Sequence, residues 1–276
     1  MKLVTFTHAR SGPQVGILDG DSIAPLPSFP SMIDAISAGL PAIAASRQGV
    51  PVPLGESRLL APIPRPPKIV CIGLNYRDHA IESGMAIPTI PVVFAKFSNS
   101  VVGPGDDVIL PKNSEKPDYE AEFAFIVGKP GRNISKDKAM EHVFGYTIVN
   151  DVSARDFQLA TSQWIMGKTC DTFCPMGPYI ATADEIKDPH NLRIGLRIDG
   201  ETVQDSSTKE LIFGIPELVE HLSSSFTLEP GDVVSTGTPP GVGLGRKPPR
   251  WLKPGETMTV FIDGLGELTN RCVAQD

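Results

Sequence analysis

Two glutamates on one predicted β-strand are the first candidates for metal binding. Side chains in the run Tyr119–Val127 alternate between two faces, so Glu120 and Glu122 share the face opposite Tyr119 and Phe123. Burying two like charges on an apolar strand is costly unless a cation neutralises them, and a divalent ion would do so. The alternative is an ordinary solvated strand face, which the flanking apolar residues make less favourable.

A third carboxylate follows another apolar run. Tyr146–Val149 leads into Asn150 and Asp151, and side chains at strand ends commonly line functional sites. Taken alone, Asp151 is equally compatible with a turn in which its carboxylate bonds to the nearby backbone. Three carboxylates form an all-oxygen ligand set, which suits Mg²⁺, Mn²⁺ or Ca²⁺ better than zinc. We therefore predict a divalent-metal site at Glu120, Glu122 and Asp151.

A histidine and a glutamate are spaced to form a general base. His79 and Glu82 lie three residues apart in a predicted helix, Asn75–Gly84, so both project from one face and can hydrogen-bond. The carboxylate orients the imidazole, and an unperturbed histidine pKa of about 6.5 lets the ring accept a proton at neutral pH. The alternative is an exposed surface pair with no catalytic role. Gly84 and Pro88 just beyond the pair indicate a mobile flap.

A lysine and a hydroxyl-rich segment could contact an anionic substrate. Lys168 stands among apolar and aromatic residues, where its amine either extends to solvent or is held for an anion, and spacing does not distinguish the two. Residues 235–243 (STGTPPGVG) offer amides and hydroxyls that suit a carboxylate or a phosphate. The segment lacks the GK[ST] ending of a P-loop, which argues against nucleotide binding.

The elements that must position these side chains divide the chain at a proline-rich segment. Before it, Asp19-Gly20 predicts a hairpin turn, and the apolar spacing after Ser31 predicts a helix. Ala61–Lys68 contains four prolines in eight residues and can continue neither a helix nor a central strand. We therefore predict a small N-terminal domain over residues 1–62 and a catalytic domain over residues 68–276.

Strands outnumber helices in the larger domain. One longer helix is predicted from Pro216 to about Ser224. The main predicted strands are KIVCIGL, PVVFAKF, DDVILP, YEAEFAFIV, GYTIVND, GPYIA, LRIGLRIDG, DVVSTG and TMTVFIDGLGELTN. Because these strands are not regularly interleaved with helices, a doubly wound parallel sheet is not expected. The predicted fold class is mainly β (α+β), with a mixed sheet that forms a roll or barrel.

Composition excludes several classes of protein. The chain has 276 residues and a net charge of −7, which argues against a nucleic-acid partner because phosphates require positive charge. No apolar run is long enough to span a bilayer and the first residues lack a secretory pattern, so we expect a cytoplasmic protein without a membrane partner. The four cysteines lack the spacing of a zinc site and are expected to be free thiols.

Six motifs, read in order, resemble one protein family. They are IGLNYRDHAIESG, FAKFSNSVVGPGD, DYEAEFAFIVGK, GYTIVNDVSARDFQ, QWIMGKTCDTFCPMGP and DVVSTGTPPGVG. From about Lys68 to Arg271 the chain resembles the fumarylacetoacetate hydrolase family. The resemblance implies a mixed β-roll domain, usually a homodimer, with Mg²⁺ or Mn²⁺ held by Glu120, Glu122 and Asp151.

The resemblance also implies roles for residues that bind or transform the substrate. His79 and Glu82 match a dyad on a lid that orders over bound substrate. Lys168 and Gln158 match residues that contact the oxo and carboxylate groups of the substrate. Thr238 matches a loop threonine near the substrate carboxylate.

Members of this family act on 2-oxo acids, so the implied partner is a small 2-oxo acid. We interpret the chain as a divalent-metal-dependent hydrolase that cleaves a C–C bond of an acylpyruvate-type 2,4-dioxo acid through a metal-stabilised enolate. His79, assisted by Glu82, would deprotonate the attacking water. An oxaloacetate decarboxylase or a dienoate isomerase could use the same residues. A non-catalytic binder of 2-oxo acids would need no base, so the dyad argues against it.

Overall fold

The computed structural model describes residues 1–9, 11–47 and 49–276, and within these ranges it contains five α-helices and nineteen β-strands. The helices are α1 (Met32–Ala45), α2 (Arg77–Glu82), α3 (Arg155–Gln158), α4 (Ile165–Lys168) and α5 (Ile215–Ser225). The strands are β1 (Lys2–His8), β2 (Gln14–Asp19), β3 (Ser22–Pro25), β4 (Val52–Pro53), β5 (Ser57–Leu60), β6 (Ile69–Gly73), β7 (Val92–Lys96), β8 (Val101–Val102), β9 (Asp107–Leu110), β10 (Pro117–Asp118), β11 (Ala121–Val127), β12 (Val143–Asn150), β13 (Ser153–Ala154), β14 (Cys174–Thr182), β15 (Arg193–Ile198), β16 (Glu201–Ser207), β17 (Val233–Ser235), β18 (Thr257–Ile262) and β19 (Gly266–Ala274). The predicted mainly β fold class is confirmed.

A twelve-stranded mixed sheet carries the residues of the candidate site. Its strands follow the order β4-β3-β2-β1-β14-β12-β11-β17-β6-β7, with β5 also paired to β1 and β8 to β14. β11 and β12 are antiparallel neighbours, whereas β17 and β6 run parallel. The mixed sheet agrees with the prediction. The predicted barrel-like closure is not seen in the described residues, because the end strands β4 and β7 pair with β3 and β6 but not with each other.

A five-stranded sheet, in the order β16-β15-β18-β19-β9, packs against the centre of the large sheet. Phe123 and Tyr146 of the large sheet share one buried apolar cluster with Leu196 and Val260 of the smaller sheet. The rings of Phe123 and Tyr146 stack with their centroids 5.2 Å apart. Every residue of β11 is buried as a result, so the site strand is held from both faces and both edges.

The N-terminal strands extend the large sheet. β1 pairs with β14 through Lys2 opposite Ala181 and Leu3 opposite Ile180. The predicted hairpin is present, with Asp19 of β2 opposite Ser22 of β3. No helix or strand occurs between residues 61 and 68, as the prolines there predict. The division into two domains at this segment stays a prediction.

Helix α1 begins where the sequence predicts. The Ser31 side chain caps it by accepting a hydrogen bond from the backbone N–H of Asp34. The helix continues to Ala45 through a kink at Gly39, where φ is 81°, followed by Pro41. In the described ranges, no helix combines the length and apolar character that crossing a membrane requires.

Candidate active site

Three carboxylates meet where β11 begins and β12 ends. Ala121 pairs with Asn150 across the two strands, and the N–H of Asp151 donates to the carbonyl of Glu120 at 2.9 Å. This register brings the oxygens of Glu120, Glu122 and Asp151 within 4.8 Å of one another, and all three residues are buried. The structure therefore places together the three carboxylates that the sequence singled out as metal ligands.

Buried cations hold two of these carboxylates. Lys168 Nζ donates to Glu120 Oε2 at 2.6 Å and to Asp151 Oδ2 at 2.7 Å. Lys96 Nζ bonds to the other oxygen of Asp151, and Arg155 lies 2.6 Å from Glu120 Oε1. Burial alone would raise the pKa of Glu120, but Arg155 and Lys168 outweigh it and lower that pKa to about 2. Lys168 is thus held among anions and does not extend to solvent.

Glu122 has no basic partner in the described ranges. Its carboxylate accepts a hydrogen bond from the hydroxyl of Ser235 and another from the N–H of Gly237 at 3.0 Å. Burial, together with the nearby carboxylates Asp151 and Glu120, raises the pKa of Glu122 well above its ordinary value. A buried carboxylate beside two others, with only neutral donors, is the environment that an added cation would relieve.

The charge count around the cluster supports the same conclusion. Four buried carboxylates face three buried cations in this region. The carboxylates are Asp118, Glu120, Glu122 and Asp151, and the cations are Lys96, Arg155 and Lys168. An all-oxygen donor set with excess negative charge fits a hard divalent ion such as Mg²⁺ or Mn²⁺.

Three buried charged residues of the site, Lys96, Arg155 and Asp118, were not predicted from the sequence. Lys96 ends the apolar strand β7 and is 3% exposed, and a charge at the end of such a run is a signal that could have found it. Arg155 Nε donates to Asp118 Oδ2 at 2.8 Å. The position of Arg155, four residues after Asp151, was only a weak sequence signal for a role in the site. These residues hold the carboxylates in place through fully buried ion pairs.

The His79–Glu82 pair lies on α2. His79 Nδ1 is 3.2 Å from Glu82 Oε2, and Glu82 also accepts a hydrogen bond from the N–H of Gly241 at 3.0 Å. The two side chains are 14% and 27% exposed. The pair is therefore partly covered and bonded to the loop that follows β17, which differs from a freely exposed surface pair.

Helix α2 is shorter than the predicted Asn75–Gly84 because Asn75 bonds elsewhere. Its Nδ2 donates to the Thr236 carbonyl at 2.8 Å, and its Oδ1 accepts from the N–H of Phe213 at 2.8 Å. On the next turn, the Asp78 carboxylate accepts a hydrogen bond from the Ser206 hydroxyl. These contacts tie the beginning of the helix to the two segments beside it.

The predicted site residues line one cavity of about 500 Å³. Those that border it are His79, Glu82, Glu120, Glu122, Gln158, Lys168 and Thr238, and Asp151 completes the carboxylate cluster behind them. Gln158 Oε1 accepts a hydrogen bond from Arg155 at 2.9 Å. The apolar part of the wall is formed by Phe94, Leu159, Trp164 and Leu244. The cavity therefore combines a charged end, a candidate base and an apolar wall, as expected for a small organic acid.

Two family models match this chain. Residues 68–273 match the family described as fumarylacetoacetate (FAA) hydrolase C-terminal, and residues 1–62 match the family described as Rv2993c-like, N-terminal. The chain is also 44% identical over 288 residues to a Xenopus laevis protein named oxaloacetate tautomerase fahd2, mitochondrial. That similarity covers 99% of this chain and 90% of the Xenopus protein.

Solved structures with other activities in their names are also similar. Fumarylacetoacetate hydrolase from Exiguobacterium antarcticum gives a TM-score of 0.88 at 35% identity, with 100% of both chains covered. A 2-hydroxyhepta-2,4-diene-1,7-dioate isomerase from Mycobacterium marinum gives a TM-score of 0.84 at 33% identity, with 100% of this chain and 99% of the isomerase chain covered. Maleylpyruvate hydrolase from Sphingobium sp. SYK-6, in complex with manganese(II) and pyruvate, gives a TM-score of 0.84 at 30% identity, with 100% of both chains covered.

Proposed function

The chain belongs to the fumarylacetoacetate hydrolase family, and from that premise we propose that it moves a proton at the carbon beside the keto group of a 2-oxo acid. Oxaloacetate is the first substrate that we propose. The observation that carries the proposal is that a histidine–glutamate pair and a carboxylate cluster border the same cavity. The 44% identity to an oxaloacetate tautomerase supports the choice of substrate.

We propose that Glu120, Glu122 and Asp151 hold Mg²⁺ or Mn²⁺. The Mn²⁺ in the related Sphingobium structure supports this choice. A bound divalent ion would supply a Lewis acid for the oxygen atoms of a 2-oxo acid. Lys168 orients both Glu120 and Asp151, since it bonds to both, and it helps to keep Glu120 ionised.

His79 is the base in this proposal. Its Nδ1 faces the Glu82 carboxylate, which can only accept, so Nδ1 carries the ring proton and Nε2 is free to accept one. Nε2 takes a proton from the carbon beside the keto group, and the imidazolium returns it to the enol oxygen. The keto and enol forms interconvert without loss or gain of atoms. Gln158 and Thr238 are proposed to bind the acid's oxygens, because both border the cavity and carry polar groups.

Lys247 favours a substrate with a second carboxylate. It borders the cavity and is exposed, and within the described ranges it has no ion pair. The other lining cations, Arg155 and Lys168, are both bonded to carboxylates. A second carboxylate on the substrate would give Lys247 an anionic partner. Oxaloacetate has such a group.

The direct test follows the ultraviolet absorbance of the enol form of oxaloacetate. With Mg²⁺ or Mn²⁺ present, the protein should accelerate the approach to keto–enol equilibrium, and chelation should return the rate to that of buffer. If the protein with Mg²⁺ and the protein with Mn²⁺ both equilibrate oxaloacetate no faster than buffer does, the tautomerase proposal is refuted. Pyruvate release should be measured in parallel, since decarboxylation consumes the same substrate.

Hydrolysis of an acylpyruvate-type 2,4-dioxo acid is the second candidate. The apolar wall formed by Phe94, Leu159 and Trp164 favours it, because oxaloacetate has no apolar group to place there. In this reaction His79 would deprotonate water, which attacks the distal carbonyl, and cleavage would yield a carboxylic acid and pyruvate. Release of pyruvate from acetylpyruvate or fumarylpyruvate, in step with loss of the substrate, would identify the hydrolase.

We also propose that the protein is a homodimer, as the family resemblance implies. The end strand β7 supports this, because its Val92 and Val93 and the adjacent Phe97 are 38%, 42% and 56% exposed. A monomer mass in light scattering at micromolar concentration would contradict it.

The cytoplasmic location stays a prediction, and the name of the Xenopus relative assigns that protein to mitochondria.

A further inference from the structure

Gln204, on β16, is a buried amide that joins the metal-site strand to the loop after β17. Its side chain is 1% exposed. Oε1 accepts a hydrogen bond at 2.9 Å from the N–H of Ala121, the residue between the two glutamates. Nε2 donates to Thr238 Oγ1 at 2.9 Å and to the Pro239 carbonyl at 2.8 Å. Gln204 itself does not border the cavity, whereas Thr238 does.

The backbone partners fix the orientation of this amide. The Ala121 N–H can only donate and the Pro239 carbonyl can only accept, so Oε1 must face Ala121 and the NH₂ group must face Pro239. The flipped amide would place two donors against each other and two acceptors against each other in a buried site, which is costly. Gln204 therefore donates to the Thr238 hydroxyl and does not accept from it.

This direction leaves the hydroxyl hydrogen of Thr238 available. Thr238 is 5% exposed and borders the cavity. Its oxygen accepts from Gln204, and among the described residues its hydrogen has no acceptor. A nearly buried donor of this kind is satisfied by a ligand atom that only accepts, and a carboxylate oxygen is such an atom.

We propose that Gln204 is a positioning residue, which fixes the Thr238 hydroxyl as a donor toward the cavity and so favours a substrate carboxylate over a neutral group. The inference rests on the proposed function for the class of ligand, a 2-oxo acid, and for the metal ion with which its test is made. Gln204→Glu should reverse the bond, because a carboxylate facing Thr238 can only accept the hydroxyl hydrogen. Thr238→Val removes the hydroxyl altogether.

The test is a double-mutant cycle measured by calorimetry on the Mn²⁺-loaded protein. The probes are pyruvate and its neutral analogue methyl pyruvate. Each single substitution should weaken pyruvate binding roughly tenfold and change methyl pyruvate binding much less, since hydrogen bonds to charged groups are the stronger ones. In the Thr238→Val background, Gln204→Glu should cost nothing further, because the group through which it acts is gone. Thr238→Ser keeps the hydroxyl and should retain pyruvate affinity.

Four results would overturn the inference. The first is that the unaltered protein does not bind pyruvate, and the second is that Thr238→Val binds pyruvate as well as the unaltered protein does. The third is an equal loss of pyruvate affinity from Gln204→Glu with and without the Thr238 hydroxyl, which would indicate a general effect of charge or folding. The fourth is an equal loss of affinity for methyl pyruvate. If Gln204→Glu does not fold, Gln204→Leu takes its place in the same cycle. Pyruvate binding that follows the expected pattern without turnover of oxaloacetate would refute the proposed function and leave the role of Gln204 standing.

Discussion

The carboxylate cluster lies at the ends of central strands of the large sheet, whereas the His79–Glu82 pair lies on a six-residue helix beside the cavity. Glu120 and Asp151 are fixed by buried ion pairs to Lys96, Arg155 and Lys168. The helix and the segment just before it are held by hydrogen bonds of Asn75, Arg77, Asp78 and Glu82. The Ile81 side chain on this helix is 76% exposed.

In the proposed function, binding and proton transfer would be carried by these two separate parts of the fold. The cluster is shaped by the sheet register and its buried charges, so it can exist before any substrate arrives. The position of the proposed base, His79, depends on one short helix that a few hydrogen bonds hold in place. Substitutions in the two regions should therefore change different measured quantities.

The largest expected effect is that of Glu122→Gln. An amide has no charge to offer a divalent ion, so metal binding by calorimetry and the metal-dependent rise in melting temperature should both disappear. Activity should fall to the chelated background, by roughly 10³-fold or more if the ion supplies several kcal/mol to the transition state. Glu201→Gln, at an exposed position on β16, is the matched control and should leave both measurements unchanged. Metal binding that survives in Glu122→Gln would remove this residue from the site.

His79→Ala should show the opposite pattern. Its kcat should fall by roughly 10²- to 10⁴-fold because the base is gone, while metal affinity hardly changes. Glu82→Gln should cost less, since the imidazole remains, and the double variant should be far from additive. His221→Ala on α5 is the control. A loss of metal affinity in His79→Ala would show that the two regions are coupled.

The same variant distinguishes the candidate reactions. Hydrolysis needs an activated water and tautomerisation needs a proton acceptor, whereas decarboxylation of oxaloacetate needs neither. Decarboxylation should therefore survive His79→Ala better than the other two activities. Equal losses of all three would refute this assignment of the base.

The side-chain contacts that local spacing defines were predictable from the sequence. Alternation placed Glu120 and Glu122 together, and three-residue spacing paired His79 with Glu82. Lys96 was not predictable in this way, because it lies 55 residues before Asp151 and three strands separate β7 from β12 in the sheet order. Gln204 was out of reach for the same reason, since it enters from another sheet 83 residues along the chain from Ala121. The fold class and the strands were predictable. Whether the sheet closes was not predictable, because closure depends on which edge strands remain unpaired.

Lys247→Met tests substrate recognition within the binding region, and its effect on activity should be smaller. If Lys247 pairs with the second carboxylate of the substrate, KM for oxaloacetate should rise roughly tenfold, the order of one charge-assisted hydrogen bond. Pyruvate has no second carboxylate, so its dissociation constant should hardly change. Lys253→Met removes an exposed lysine on the same loop and is the control. An equal loss for both ligands would refute recognition of a second carboxylate.

The smallest effect concerns the stability of the metal-free protein. The folded protein raises the pKa of Glu122, so between the ordinary carboxyl value of 4.5 and that raised value the folded state binds more protons than the unfolded state. Stability contributed by this group is therefore lost as pH rises through that window. Glu120, with its pKa lowered to about 2, acts in the opposite direction and only as pH falls below 4.5.

Glu122→Gln removes the first of these ionisations and leaves the second. In urea denaturation of chelator-treated protein, the variant should gain about 1 kcal/mol relative to the unaltered protein when pH is raised from 5 to 7, the order of one pKa unit. Most other titrating groups contribute equally to both proteins and cancel in the comparison. Mg²⁺ should raise the stability of the unaltered protein more at pH 7 than at pH 5, because the ion binds the ionised carboxylate. Mg²⁺ should not change the stability of the variant. The same dependence on pH in both proteins would show that Glu122 is already compensated without a metal, and the cluster would then lack the charge deficit that sets it apart from the helix.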